Sequence, residues 1–172
     1  MGAMKIAVLS DIHDHLDHLQ SALSALAVEK VERLFFLGDF CAPFTLTAIA
    51  EGFRGPVDCV LGNNDGDPLH ICRIASGHPH VTLHGQFAEL EAGGRKIALN
   101  HYPDIARRVA ESNAYDAVFS GHDHRRYIHQ TGRTVWANPG EVMGRYGVVS
   151  FGVYDTDDNS FRHVVVDAGE SP

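Results

Sequence analysis

The sequence predicts an α/β protein in which two sheets pack face to face with helices outside. Two observations carry that prediction. Between residues 5 and 65, apolar runs of strand length alternate with helical stretches, the pattern of βαβ units with parallel strands. Beyond residue 65, paired runs flank turn-forming residues, which predicts antiparallel hairpins. A third observation concerns chemistry: polar residues able to ligate a metal follow the apolar runs repeatedly.

Lys5-Ile6-Ala7-Val8-Leu9 is a continuous apolar run, suited to a strand covered on both faces. It ends in Ser10-Asp11-Ile12-His13, where Asp11 and His13 could cap the next helix or ligate a metal. The helix is predicted from Leu16, Leu19, Leu23 and Leu26, with Ala22 and Ala27 on the same face. Asp14 is its expected N-cap, and His15 and His18 are expected to be solvated in its first turn. Residues 31–37 give a second buried run ending in Gly38-Asp39, and residues 44–53 a short helix. A third run, 57–61, ends in Gly62-Asn63-Asn64-Asp65.

Val81-Thr82-Leu83 reads as a short strand. Runs at 87–91 and 96–100 flank Gly93-Gly94, and the second arm leads into His101-Tyr102-Pro103. Residues 105–112 are predicted helical, with Asp104 as cap. Ala117-Val118-Phe119 then leads into Ser120-Gly121-His122-Asp123-His124. Strand alternation would project the two histidines to one side, with Gly121 easing the turn. Hairpins are predicted around 131–133 and 155–159, and a turn at Asn138-Pro139-Gly140.

At 172 residues, 44% hydrophobic and 21% charged, the chain is expected to form one globular domain over 4–172. Met1-Gly2-Ala3 is expected to be an expression scar ahead of a native start at Met4. A net charge of −8 argues against a broad grip on nucleic acid, which needs a basic face. Cys41, Cys59 and Cys72 are odd in number and lack CxxC spacing, which points to a reducing, cytoplasmic setting. No secretory leader and no run near the ~18 apolar residues of a membrane span is expected.

The residues that end apolar runs are Asp11, His13, Asp39, Asn63, His101, His122 and His124. Each has an ordinary structural use alone: Asp39 as a cap, Asn63 in a turn, the histidines in satisfied loops. Together they are oxygen and imidazole donors without a cysteine, a set suited to Mn²⁺, Fe²⁺, Zn²⁺, Ni²⁺ or Mg²⁺. The set exceeds what one tetrahedral ion needs and suffices for two if a carboxylate bridges. Two ions about 3.5–4 Å apart form a clamp for displacement at phosphorus.

Asp11-x-His13, Gly38-Asp39, Gly62-Asn63-x-Asp65, His101 and Gly121-His122-x-His124, in this order, resemble the calcineurin-like metallophosphoesterases. The likeness is greatest to their small bacterial and archaeal phosphodiesterase branch, and spans essentially the whole chain. It implies a four-layer αββα sandwich of two mixed sheets flanked by helices. It also implies two divalent ions, Mn²⁺ first among the candidates. Asp11, His13, Asp39 and His124 would hold one ion; Asp39, Asn63, His101 and His122 the other. Asp39 would bridge, and a hydroxide between the ions would attack phosphorus. Asp39, Asn63 and His101 are the implied catalytic set.

The chain departs from the family at several points. Asn64 stands where many relatives have a histidine that protonates the leaving group. That favours diesters, or esters with good leaving groups, over a protein phosphatase. Asp14-His15, Asn100 and Asp123 also depart, which bears on the choice of metal. Asn64 and Arg125 are candidate substrate contacts, with Arg107, Arg108 and Arg126 behind them. Asp65 is expected to orient a ligand, and Tyr102 to wall the pocket or pack. Alternatives are a phosphomonoesterase on small metabolites, a nuclease, and a non-catalytic scaffold like one retromer subunit of this fold. The expected partner is a small phosphodiester or phosphoester, with no membrane; hairpin edges could pair two copies into a homodimer.

Overall fold

The computed structural model describes residues 2–167. Residues 168–172 of the expected domain, and Met1, lie outside the described residues. β1 (Lys5–Leu9) forms on the uninterrupted apolar run, and Ile6 to Leu9 are all buried. α1 (Leu16–Glu29) buries Leu19, Ala22, Leu23 and Leu26, the face set by its three- and four-residue spacing. β2 (Arg33–Phe36), α2 (Pro43–Gly52), β3 (Val57–Cys59), α3 (Pro68–Gly77) and β4 (Val81–Leu83) continue the alternation. β1 to β4 pair in parallel, as expected of βαβ units.

β5 (Phe87–Ala92) and β6 (Arg95–Asn100) form the Gly93-Gly94 hairpin, followed by α4 (Pro103–Glu111) and β7 (Ala117–Phe119). β8 (Arg126–Thr131) and β9 (Thr134–Pro139) form the second hairpin, β10 (Ser150–Asp155) and β11 (Ser160–Val165) the third. The third hairpin crosses back to the first sheet, where β10 lies antiparallel to β1. One sheet therefore runs β11-β10-β1-β2-β3-β4 and the other β5-β6-β7-β9-β8, and both are mixed.

Three apolar clusters define four layers. Leu19, Leu23, Leu46, Ile49 and Ile71 of α1 to α3 pack on the outer face of the first sheet. Val8, Phe35, Leu99, Phe119 and Tyr154 fill the space between the sheets. Ala106 and Ala110 of α4 pack on Ala98 and Val118 of the second sheet. The architecture is an αββα sandwich.

The structure differs from expectation in four places, each with a local cause. α3 was not anticipated: it buries only Ile71 and Ala75, too short an apolar pattern to read, although Asp67-Pro68 supplies an N-cap and N1 pair. The N-cap of α1 is His15, whose Nδ1 accepts from His18 N. Asp14 caps across space instead, its carboxylate accepting from Ala42 N at 2.9 Å and Thr45 Oγ1 at 2.6 Å at the start of α2. Tyr102 is the N-cap of α4, and Asp104 lies inside its first turn. Asn138 and Pro139 belong to β9, and the chain turns only at Gly140, with φ of +86°.

Phe119 is fully buried between the sheets, with its ring 5.2 Å from Tyr154, 5.3 Å from Phe161 and 6.4 Å from Phe35. Phe119→Ala is expected to cost about 3–5 kcal/mol in urea unfolding. A loss under about 1 kcal/mol would show that the two sheets do not share this core.

Candidate metal centre

Five strands end at one place. Asp11 and His13 follow β1, Asp39 follows β2, Asn63 follows β3, His101 follows β6, and His122 and His124 follow β7. In each sheet these strands run parallel, so their carboxyl ends share an edge, where open α/β sheets place their sites. Asp11, His13, Asp39, His122 and His124 all have positive φ, between 48° and 73°. Such backbone is uncommon outside glycine and costs about 1–3 kcal/mol per residue. The surrounding packing must hold it.

The reason given by the sequence for His122 and His124 is therefore corrected. They lie beyond β7 in left-handed backbone, so strand alternation does not align them. Gly121 does not make the turn; a Cβ there would stand 1.9 Å from Ser10 Oγ and 2.7 Å from Asp11 Oδ2. Its small size lets the β7 loop close on the β1 loop. The two rings then diverge. His124 stacks on His13 at 5.1 Å, while His122 meets His101 at 5.1 Å and Tyr102 at 5.3 Å.

Among the described residues, two sets of ligand atoms converge within 4.8 Å: Asp11 with His13 and His124, and Asp11 with Asp39 and His101. His13 Nε2 lies 3.7 Å from Asp11 Oδ1 and 3.5 Å from Asp39 Oδ2. His101 Nε2 lies 3.4 Å from Asp39 Oδ2 and 3.0 Å from Asn63 Oδ1, and His124 Nε2 lies 3.5 Å from Asp11 Oδ1. His122 stands at the rim outside these two sets; its backbone N–H donates to Asp11 Oδ2 at 3.0 Å.

The imidazole protons say what fits here. His101 Nδ1 donates to the Leu37 carbonyl at 2.8 Å, and His124 Nδ1 faces Glu141 Oε2 at 2.6 Å. With Nδ1 protonated, the Nε2 of a neutral ring is a lone pair. Both Nε2 atoms thus point lone pairs at carboxylate oxygens. Asp11 Oδ1 and His13 Nε2 are buried and make no hydrogen bond among the described residues. A buried polar atom without a partner is costly. Divalent cations satisfy every one of these atoms at once, so the donor set fits the implied ions.

Protons compete for the same positions. The contact with Asp11 is the largest influence on His13; it and Asp39 outweigh burial and raise the His13 pKa. Burial pulls His101 down, but the contact with Asp39 and the charge of Asp11 and Asp39 prevail and raise it. Burial also acts against the Asp39 charge. The His101 contact and the two Asn64 bonds outweigh it and hold this carboxyl well below the usual range. Burial and the carboxylates of Asp14 and Asp39 push the Cys41 thiol up to about 12, so it stays neutral beside His13 Nδ1 at 3.3 Å.

A family model described as the calcineurin-like phosphoesterase superfamily domain matches residues 4–159. The chain belongs to the calcineurin-like phosphoesterase superfamily. Phosphodiesterase MJ0936 of Methanocaldococcus jannaschii is 28% identical over 167 residues, covering 95% of this chain and 100% of the relative. A solved structure described as a novel archaeal phosphodiesterase superposes with a TM-score of 0.87 at 27% identity, covering 95% and 100%. Zinc-complexed Vps29 from Entamoeba histolytica has the same fold, with a TM-score of 0.61 at 18% identity over 96% and 100%. As a calcineurin-like phosphoesterase, the protein is a hydrolase acting on phosphoesters.

The candidate centre rests on a supporting layer that was partly legible. Asp65, expected to orient a ligand, accepts N–H bonds from Asp39 at 3.1 Å, Cys41 at 3.0 Å and Gly62 at 2.6 Å, joining two ligand loops. Asn64 donates to both Asp39 oxygens at 2.8 Å, a contact the sequence did not foretell. Asn138 Nδ2 donates to Asp123 Oδ1 and to Gly121 O, both at 2.8 Å, bracing the β7 loop. Arg125 is exposed and lines a cavity of about 480 Å³ with His124, Arg126, Gly147, Val148 and Ser150. Sequence reading missed Glu141; its only signal was a carboxylate next to the Asn138-Pro139-Gly140 segment.

Stripped of metal, the folded protein holds protons on His13 and His101 more tightly than the unfolded chain. Their contribution is fully present below about pH 6.5 and is lost as pH rises through the folded values. The urea midpoint of stripped protein is expected to fall as pH rises above about 6.5, and a saturating divalent cation is expected to reverse that slope. A midpoint independent of pH in stripped protein would contradict this proton accounting.

Proposed function

We propose that this phosphoesterase hydrolyses phosphodiesters with two divalent ions, the first held by Asp11, His13, Asp39 and His124. The second is held by Asp39, Asn63, His101 and His122. The observation that carries the reading is Asp39 itself. Its Oδ2 lies 3.5 Å from His13 Nε2 and 3.4 Å from His101 Nε2, between the two groups of donors. Sharing Asp39 lets one buried carboxylate serve both sides.

When bound, divalent ions lower the pKa of water towards about 7 and neutralise charge gathering on phosphoryl oxygens. The protein's own residues set the rest. Asn64 fixes both Asp39 oxygens, and His101 is pinned by the Leu37 carbonyl. Arg125 and Arg126, on the cavity beside His124, supply positive charge for a phosphate oxygen in a chain of net charge −8. No imidazole stands at position 64 to protonate a leaving group, which suits diesters and esters with good leaving groups. The archaeal relative named a phosphodiesterase supports the same preference.

Mn²⁺ is the proposed metal, since carboxylate, amide and imidazole donors with no thiolate suit it. Cys41, Cys59 and Cys72 are free, which supports a reducing cytoplasmic setting. Among the described residues no helix is long and apolar enough to cross a membrane.

The test compares bis-p-nitrophenyl phosphate with p-nitrophenyl phosphate, using stripped protein reloaded with Mn²⁺. Faster diester hydrolysis is expected. Asp39→Asn should lose more than the roughly 10- to 100-fold that loss of a ligand's supporting residue costs. Monoester preference would make the protein a phosphomonoesterase. No turnover with Mn²⁺, Ni²⁺, Fe²⁺, Zn²⁺ or Mg²⁺ despite bound metal would make it a scaffold of the same fold.

A further inference from the structure

Glu141 is a carboxylate with a fully buried side chain, and no step of the proposed hydrolysis touches it directly. Among the described residues its ion-pair partner is His124, with Nδ1 at 2.6 Å from Glu141 Oε2. The other oxygen, Oε1, accepts N–H bonds from Tyr146 at 2.6 Å and Gly147 at 2.7 Å. Gly147 and Val148 line the same cavity as His124 and Arg125. The exposed Tyr146 ring stands edge-on to His124 at 5.1 Å. One oxygen of Glu141 therefore faces a metal-ligand candidate, and the other holds the cavity wall.

A buried charge is expensive unless hydrogen-bonded on all sides. Here three donors satisfy it, and one of them must be the His124 ring. That requirement fixes the ring's proton on Nδ1 and leaves the Nε2 lone pair aimed at Asp11 Oδ1, 3.5 Å away. Carboxylate–histidine pairs of this kind fix the tautomer and orientation of a metal ligand.

We propose that Glu141 is the positioning residue of the first metal site: it sets the tautomer of His124 and fastens to that ligand Gly147 of the cavity wall together with its neighbour Tyr146. The metal half of this inference rests on the two-ion reading; the tautomer half does not. Glu141→Gln separates the proposal from a merely structural role. The Gln oxygen can still accept from Tyr146 and Gly147. Its NH₂ group then faces His124 Nδ1, which must become the acceptor. The proton moves to Nε2, where it faces Asp11 in the place a metal would take.

The experiment uses metal-stripped wild-type and Glu141→Gln protein at alkaline pH, where imidazoles are neutral. Nitrogen-15 NMR reads the His124 tautomer, calorimetry reads Mn²⁺ affinity, and urea reads folding. The wild type is expected to carry its proton on Nδ1 and the variant on Nε2. One Mn²⁺ site should weaken about 10- to 100-fold while the other and the urea midpoint hold. A variant with an Nδ1 proton and unchanged affinity would overturn the proposal. So would equal weakening of both sites together with a lowered urea midpoint, the mark of a structural role. If the wild type binds no Mn²⁺, the two-ion reading fails, yet the tautomers still decide the role of Glu141. If Glu141→Gln does not fold, an Nε2 proton on wild-type His124 overturns the proposal.

Discussion

Lone pairs facing lone pairs set the terms for this molecule. His101 and His124 spend their Nδ1 protons on Leu37 and Glu141, leaving Nε2 atoms turned toward the carboxylates of Asp39 and Asp11. In a buried space this arrangement repels unless something positive sits between the partners. Protons supply that charge in part, which is why His13 and His101 bind them more tightly than free imidazole. Divalent ions supply it fully, with Asp11 Oδ1 and His13 Nε2 otherwise without a hydrogen bond among the described residues.

The fold exists to force that confrontation. Parallel strands in two sheets bring five loops to one edge. Left-handed backbone at Asp11, His13, Asp39 and His124 accompanies side chains that converge, while His122, also left-handed, stays at the rim. Small residues allow the loops to touch: a Cβ on Gly62 would stand 2.2 Å from Asp39 Oδ1, and one on Gly121 would stand 1.9 Å from Ser10 Oγ. Asp65 then ties the β2 and β3 loops with three N–H bonds. The cost in backbone strain is offset by the three apolar clusters and by whatever cation the site binds.

Much of this was legible because it depends on local pattern. Apolar runs announced the strands, and polar residues at their ends announced the converging donors. What stayed hidden depends on long-range geometry. The helix at Pro68–Gly77 buries two side chains, too few to show a period. Asp14 looks like a cap for the helix beside it, yet serves the helix that starts at Pro43, because a left-handed turn points it there. His122 and His124 look equivalent in sequence but meet different partners. Glu141 is the clearest case: its importance lies in touching His124 and Tyr146 at once, and no spacing rule encodes that.

We propose that these donors hold two ions, with Asp39 common to both. The most direct measurement is the number of Mn²⁺ ions retained per chain after stripping, reloading and removal of excess metal. Two per chain in the wild type, falling to one or none in Asp39→Ala, is the predicted result. A wild-type protein that saturates at a single ion would contradict the shared carboxylate and with it the account of the site.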